Sequence, residues 1–187
     1  LSTYCMLAAS EKNKTESSVN YNHICVEPYP KEWLRSAPIK LIENKVQNLN
    51  ASFFDELNPG DLLFIDSSHQ VRTGGDVSFL FLEIIPKLKA GVFIHVHDIY
   101  FPYLYPRDTL STFIHPMESA LLYALLNGNS KMEIMLSLSM LHYSRPDILK
   151  EAFPLYDPEP ATDGLRVRPA FEAGSKHFPS SIFIETK

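Results

Sequence analysis

Long apolar runs, blocks of positive charge and cysteine pairs are all missing from this chain of 187 residues. No stretch approaches the roughly 18 apolar residues that a membrane-spanning helix needs, and no charged-then-apolar leader opens the sequence. A membrane partner is therefore not expected. Lys and Arg nowhere cluster and the formal net charge is −5, which argues against a nucleic-acid partner as well. Cysteine occurs only as Cys5 and Cys25, in separate apolar segments and without a Cys-x-x-Cys pair. That excludes a disulfide framework or a zinc knot and points to buried free thiols in a cytoplasmic setting. Internal repeats and low-complexity tracts are absent too. What is present is an ordinary globular composition, 45% hydrophobic and 21% charged, in a length that suits a single domain over residues 1–187.

The first two-thirds of the chain alternates short apolar runs with helical patterns, as parallel strand–helix–strand units do. Tyr4 to Ala9 reads as the middle of a helix, followed by a polar loop, "SEKNKTESSVNYN". "HICVE" (23–27) and "IKLIEN" (39–44) read as strands, and "SFFDEL" (52–57) as one helical turn. "DLLFID" (61–66) is a compact strand ending in an acid. Val77, Leu80, Phe81, Ile84, Ile85 and Leu88 then recur at the spacing of one helix face. Thr73 and Asp76 resemble a capping box at the start of that helix, and Gly91 suits the left-handed position after its end. "VFIHV" (92–96) is the next strand, running out into His97-Asp98. Later come a helix through Met117, Leu121 and Leu125, a strand over "EIMLSLSML" (133–141), a short helix over "PDILKEAF" and a last strand, "SIFIE". These two late strands predict an antiparallel hairpin added to a parallel sheet.

A parallel crossover from "DLLFID" to "VFIHV" carries both strand ends, Asp66 and His97-Asp98, to one edge of the sheet. Open α/β sheets bind ligands at that edge. Two carboxylates held there repel unless a cation or a shared proton neutralises them. Asp66, Asp98 and His97 are thus candidate ligands for Mg²⁺ or another divalent metal; the alternative is that the carboxylates bind backbone amides. His69, in the loop after Asp66, is a candidate general base near neutral pH, or a loop histidine bonded to a carbonyl. His95 sits deeper and reads as a satisfied core residue. Glu27, ending a buried strand, can accept paired hydrogen bonds from a ribose diol or simply be solvated. Tyr103, Tyr105 and Phe113 could line a substrate pocket or pack their own loop.

In this order, "HICVEPYP", "GDLLFIDSSHQ" and "GGDVSFLFLEIIPKLKAGVFIHVHDI" resemble class I S-adenosylmethionine-dependent methyltransferases. The branch they resemble includes macrocin-type sugar and cephalosporin-cluster O-methyltransferases. The resemblance implies a Rossmann-like α/β sheet, mostly parallel, with strand order 3-2-1-4-5-7-6 and an antiparallel C-terminal strand. It also implies that the family's first strand and glycine-rich turn belong upstream of residue 1, with Ser2 and Thr3 as the tail of that motif. Under it, Ser2, Thr3, Glu27, Ser52, Phe53, Asp66 and Ser67 contact S-adenosylmethionine, while Asp66, His97 and Asp98 hold a divalent ion in metal-dependent relatives. His69, with Asp66 and Asp98, would activate a hydroxyl of a small-molecule substrate such as a sugar or secondary metabolite. A homodimer is left open. Two rivals stand beside this reading. One is a non-catalytic or truncated methyltransferase-like assembly module. The other is a metal-dependent hydrolase, because His95-x-His97 resembles the metal pair of amidohydrolase-type barrels.

Overall fold

The computed structural model describes residues 2–103, 117–157 and 179–187, which cluster into two compact units, residues 1–49 and 50–187. The first unit opens with α1 (Ser2–Ser17). It runs two turns beyond the apolar stretch, through what reads as a polar loop. Glu, Lys and Ala are good helix formers without help from a core, and Lys12 and Glu16 pair at 3.8 Å one turn apart. β1 (Ile24–Val26) and β2 (Lys40–Ile42) then form a two-stranded parallel sheet, with α2 (Glu32–Arg35) between them. Leu7 and Leu34 are the buried apolar side chains among its described residues. The thiols are not buried as expected: Cys5 is exposed on α1 and Cys25 is half-buried on β1, and both are free.

The second unit is a four-stranded mixed sheet with helices. In chain order its elements are β3 (Leu62–Ile65), α3 (Asp76–Phe79) and β4 (Phe93–His97). They are followed by α4 (Glu118–Leu126), β5 (Met132–Ser137), α5 (Leu138–Ser144), α6 (Pro146–Ala152) and β6 (Ser181–Thr186). The strand order is β3-β4-β6-β5. β3 and β4 are parallel, while β6 runs antiparallel to both β4 and β5. Each sheet by itself matches a run of the order that the resemblance implies, 3-2 in the first unit and 4-5-7-6 in the second, and the second is a mixed sheet with helices of the Rossmann-like kind.

The core follows the two periodicities of the sequence. Along β4, Ile94 and Val96 are fully buried while Phe93, His95 and His97 on the alternate face are half-exposed. Val77, Phe81, Ile84, Leu122, Ile182 and Ile184 are equally dry, each contributing about 1.5–3 kcal/mol of transfer free energy. The helix that supplies the first three changes its winding. α3 passes into a π-helical stretch, Leu80–Ile84, and then a 3₁₀ turn, Ile85–Lys87. Pro86 has no N–H and its ring would strike the carbonyl four residues earlier, so an ordinary α-helix cannot run through it.

Two further details depart from the sequence reading and a third agrees with it. The capping box does not form: Gly75 stands at the N-cap without a side-chain bond, and Asp76 instead accepts from Ser68 N–H (2.8 Å) and Ser68 Oγ (2.6 Å). β5 stops at Ser137, whose hydroxyl caps α5 by accepting from Met140 N–H; the alternating residues that follow wind into helix. Gly91 does take the left-handed conformation, at φ 84°. A side chain there would also meet Pro59, 2.9 Å from an added Cβ.

Candidate active site

β3 ends at Ile65, which pairs with Val96 of β4. The next residues, Asp66 and His97, therefore leave the sheet side by side. Each strand end is turned sharply by a residue in left-handed conformation, His69 at φ 59° and Asp98 at φ 57°. Non-glycine residues tolerate this region poorly, and such strain persists where the surroundings over-determine it. Here they do. Met117 N–H donates to the His69 carbonyl at 3.1 Å, and Ile99 N–H donates to the Ser180 carbonyl at 3.1 Å.

Four side chains meet at this edge. His69 Nε2 lies 3.5 Å from Asp98 Oδ2 and 3.9 Å from Asp66 Oδ1. His97 Nδ1 lies 3.2 Å from Asp98 Oδ1 and 3.9 Å from Asp66 Oδ1. The His97 nitrogen is buried and within hydrogen-bond distance of Asp98, though not well aligned with it. Two residues outside the expected set complete the group. Glu118, the first residue of α4 and only 1% exposed, accepts from Ser67 Oγ at 2.7 Å and sits 2.7 Å from His69 Nδ1. Ser180, just before β6, donates to Asp98 Oδ1 at 2.8 Å.

The charges set one another. The Glu118 contact pushes the His69 imidazole above its ordinary value; burial opposes this, and Asp98 and Asp66 add to the rise. Asp98 likewise pushes His97 up against the cost of burial. Burial would raise the Asp98 carboxyl, but His97, Ser180 and His69 hold it below the usual carboxylate range. His95 departs from expectation. It stacks on Phe183 at 4.1 Å and takes the edge of Phe64 at 4.8 Å, yet its buried Nε2 has no hydrogen-bond partner among the described residues. Burial first, then His97, pushes it down to about 4, so it stays neutral.

The donor set does not fit a divalent ion. Among the described residues no group of three or more His, Cys, Asp or Glu is arranged to hold one. Asp98 Oδ1 accepts from Ser180 and lies 3.2 Å from His97 Nδ1, and Oδ2 lies 3.5 Å from His69 Nε2, so both oxygens already have neighbours. Two expected cofactor contacts are also spent internally. Ser67 gives its hydroxyl to Glu118, and Ser52 gives its hydroxyl and N–H to Asn50 Oδ1. Phe53 lies edge-on to Phe54 at 5.3 Å. Ser2 and Thr3 form the half-buried first turn of α1. Glu27 stands at the carboxyl end of β1, and its Oε1 accepts from Tyr29 N–H at 2.8 Å. A second carboxylate oxygen remains, which suits a diol donor. Tyr103 lies edge-on to Tyr143 at 5.3 Å, while Tyr105 and Phe113 fall outside the described residues.

Glu118 and Ser180 carried no signal that a sequence could show. An acid opening an apolar helix reads as a complement to the helix dipole, and its partners lie 51 and 49 residues away. Among the described residues no helix is long and apolar enough to cross a membrane. Compared with known proteins, residues 1–99 match a family model described as a methyltransferase domain. No curated protein and no solved structure gives a significant match. The matched stretch ends one residue past Asp98, so it holds Glu27, Asp66, His69, His97 and Asp98 but neither Glu118 nor Ser180.

Proposed function

This chain belongs to the methyltransferase-domain family, which matches just over half of it, and from that premise we propose that it methylates a hydroxyl group of a small molecule with His69 as general base. The observation that carries the proposal is the His69 imidazole. One nitrogen is held by the buried Glu118 and the other is turned toward the polar edge where β3 and β4 end. When bound, S-adenosylmethionine supplies an electrophilic methyl group on a sulfonium.

Glu27 would take the ribose diol through its free carboxylate oxygen. Ser2, Thr3, Phe53 and the Ser52 backbone are further candidates for the cofactor. Asp66 and Asp98 set a negative field at the edge, which favours a cationic sulfonium nearby. His69 Nε2 takes the proton of the acceptor hydroxyl as that oxygen bonds to the methyl carbon. A bound S-adenosylmethionine would supply the methyl group and its sulfur would keep the C–S electron pair, while His69 holds the proton on its imidazole. Asp98 and Asp66 stabilise the imidazolium that results.

Incubation with methyl-labelled S-adenosylmethionine and a panel of hydroxylated sugars and aromatic metabolites tests this reading. Label should pass to an acceptor and be lost in His69→Ala, which should still bind S-adenosylhomocysteine. Undiminished transfer by His69→Ala would overturn the assignment of the base.

A further inference from the structure

Glu118 is the most deeply buried charged side chain among the described residues. A carboxylate taken from water costs several kcal/mol unless its oxygens find donors. Both do: Oε1 accepts from the Ser67 hydroxyl at 2.7 Å, and Oε2 faces His69 Nδ1 at 2.7 Å. The Ser67 hydroxyl also accepts from His69 N–H at 3.3 Å, and Met117, the neighbour of Glu118, holds the His69 carbonyl. The start of α4 thus grips His69 at its carbonyl and its ring, while Ser67, itself bonded to Glu118, takes its N–H. A dipole-complementing acid would need none of this, since it would lie in water at the helix end.

An ionised carboxylate only accepts hydrogen bonds. The nitrogen facing it must carry a hydrogen in either charge state of the ring. We infer that Glu118 is a positioning residue that locks His69 in the Nδ1–H tautomer, so that the lone pair of the neutral ring sits on Nε2. Free histidine prefers the opposite tautomer, with hydrogen on Nε2, and could not accept a proton at the polar edge. On the far side of the ring, Asp98 Oδ2 and Asp66 Oδ1 face Nε2, and His97 lies beyond them. Those carboxylates also draw a hydrogen toward Nε2, but at 3.5 and 3.9 Å they compete weakly with Glu118 at 2.7 Å. The role in catalysis rests on the functional reading above; the tautomer does not.

Nitrogen-15 NMR of the histidine side chains tests it, with the His69 signals identified by their loss in His69→Gln. In the full chain at alkaline pH, His69 should show a protonated Nδ1 and an unprotonated Nε2. Glu118→Gln keeps an acceptor but removes the charge. It should retain the tautomer while lowering the His69 titration midpoint by about 1 unit or more. Glu118→Leu removes the acceptor and should shift the ring toward the Nε2–H form. In the methyl-transfer assay, the pH limb of Glu118→Gln should move down with the titration. An Nε2–H ring in the unaltered chain, or a His69 midpoint unmoved in Glu118→Gln, overturns the inference. A chain that shows the Nδ1–H ring yet transfers no methyl group would sink the functional reading instead.

Discussion

In the unit of residues 1–49, β1 and β2 pair through three residues each, and Leu7 and Leu34 are its buried apolar side chains among the described residues. In the unit of residues 50–187, β4 is paired on both sides, and Ile94, Val96 and Ile182 lose all contact with water. A two-stranded sheet gains little independent stability, whereas three or more strands with a covered apolar layer can stand alone. The difference bears on function because a general base needs its geometry held within fractions of an ångström. His69, Asp66, His97 and Asp98 all hang from the ends of β3 and β4, in the sheet whose interior includes Ile94, Val96 and Ile182. Glu27 hangs from the thinner pair. Rigid acid–base chemistry on one unit and a more yielding ligand contact on the other is the division this predicts.

The largest expected break in that comparison comes from emptying each core in turn. Phe81→Ala should cost about 3–5 kcal/mol of stability, and Leu34→Ala about 2 kcal/mol, the low end for such a truncation. Urea unfolding followed by fluorescence checks this, and equal losses would erase the distinction. Hydrogen exchange sharpens the same point, since the amides of β1 and β2 should exchange faster than those of β4 and β6. Next in size is His69→Ala, expected to slow methyl transfer by roughly 10²–10⁴-fold and, because it leaves the buried Glu118 carboxylate without one of its partners, to lower the unfolding midpoint as well. Retained binding of S-adenosylhomocysteine separates loss of the base from loss of the fold.

The pH dependence follows from the same residue. His69 titrates above its ordinary value in the folded chain. Its base form therefore grows as pH rises through that raised value, and activity should climb over a window above about 6.5. Its stabilising pairing with Glu118 runs the other way, complete below about 6.5 and lost as pH rises through the folded value. Asp76 carries the opposite sign. It titrates below the usual range: burial alone would raise it, but the Ser68 hydroxyl and N–H outweigh that. Its contribution is present above about 3.9 and lost as pH falls through the lower folded value. Asp76→Ala should cost about 1 kcal/mol, visible in thermal melts at neutral pH and vanishing in acid. Smallest is Lys12→Ala on the exposed face of α1, expected to change stability by less than about 0.5 kcal/mol.

Strand positions were legible because each is a short apolar run bounded by turn residues, as in "DLLFID" and "VFIHV". The meeting of Asp66 with His97 and Asp98 was legible for the same reason: a parallel crossover carries both strand ends to one edge. The extent of α1 was not, since polar helix formers give no apolar stripe to read. The winding of Leu80 to Ile85 was hidden because the apolar spacing suits an α-helix while Pro86 forbids one. Glu118, Ser180 and the internal bonds of Ser52 and Ser67 depend on which side chain arrives opposite, and no local pattern encodes that.

Calorimetric titration with S-adenosylhomocysteine, run on the chain and on Glu27→Ala and His69→Ala, is the decisive measurement of the cofactor site. Binding should be saturable, weakened about tenfold in Glu27→Ala by the loss of about 1.4 kcal/mol of charge-assisted hydrogen bonding, and preserved in His69→Ala. Absence of binding, or binding that does not respond to Glu27→Ala, would contradict the assignment of that site.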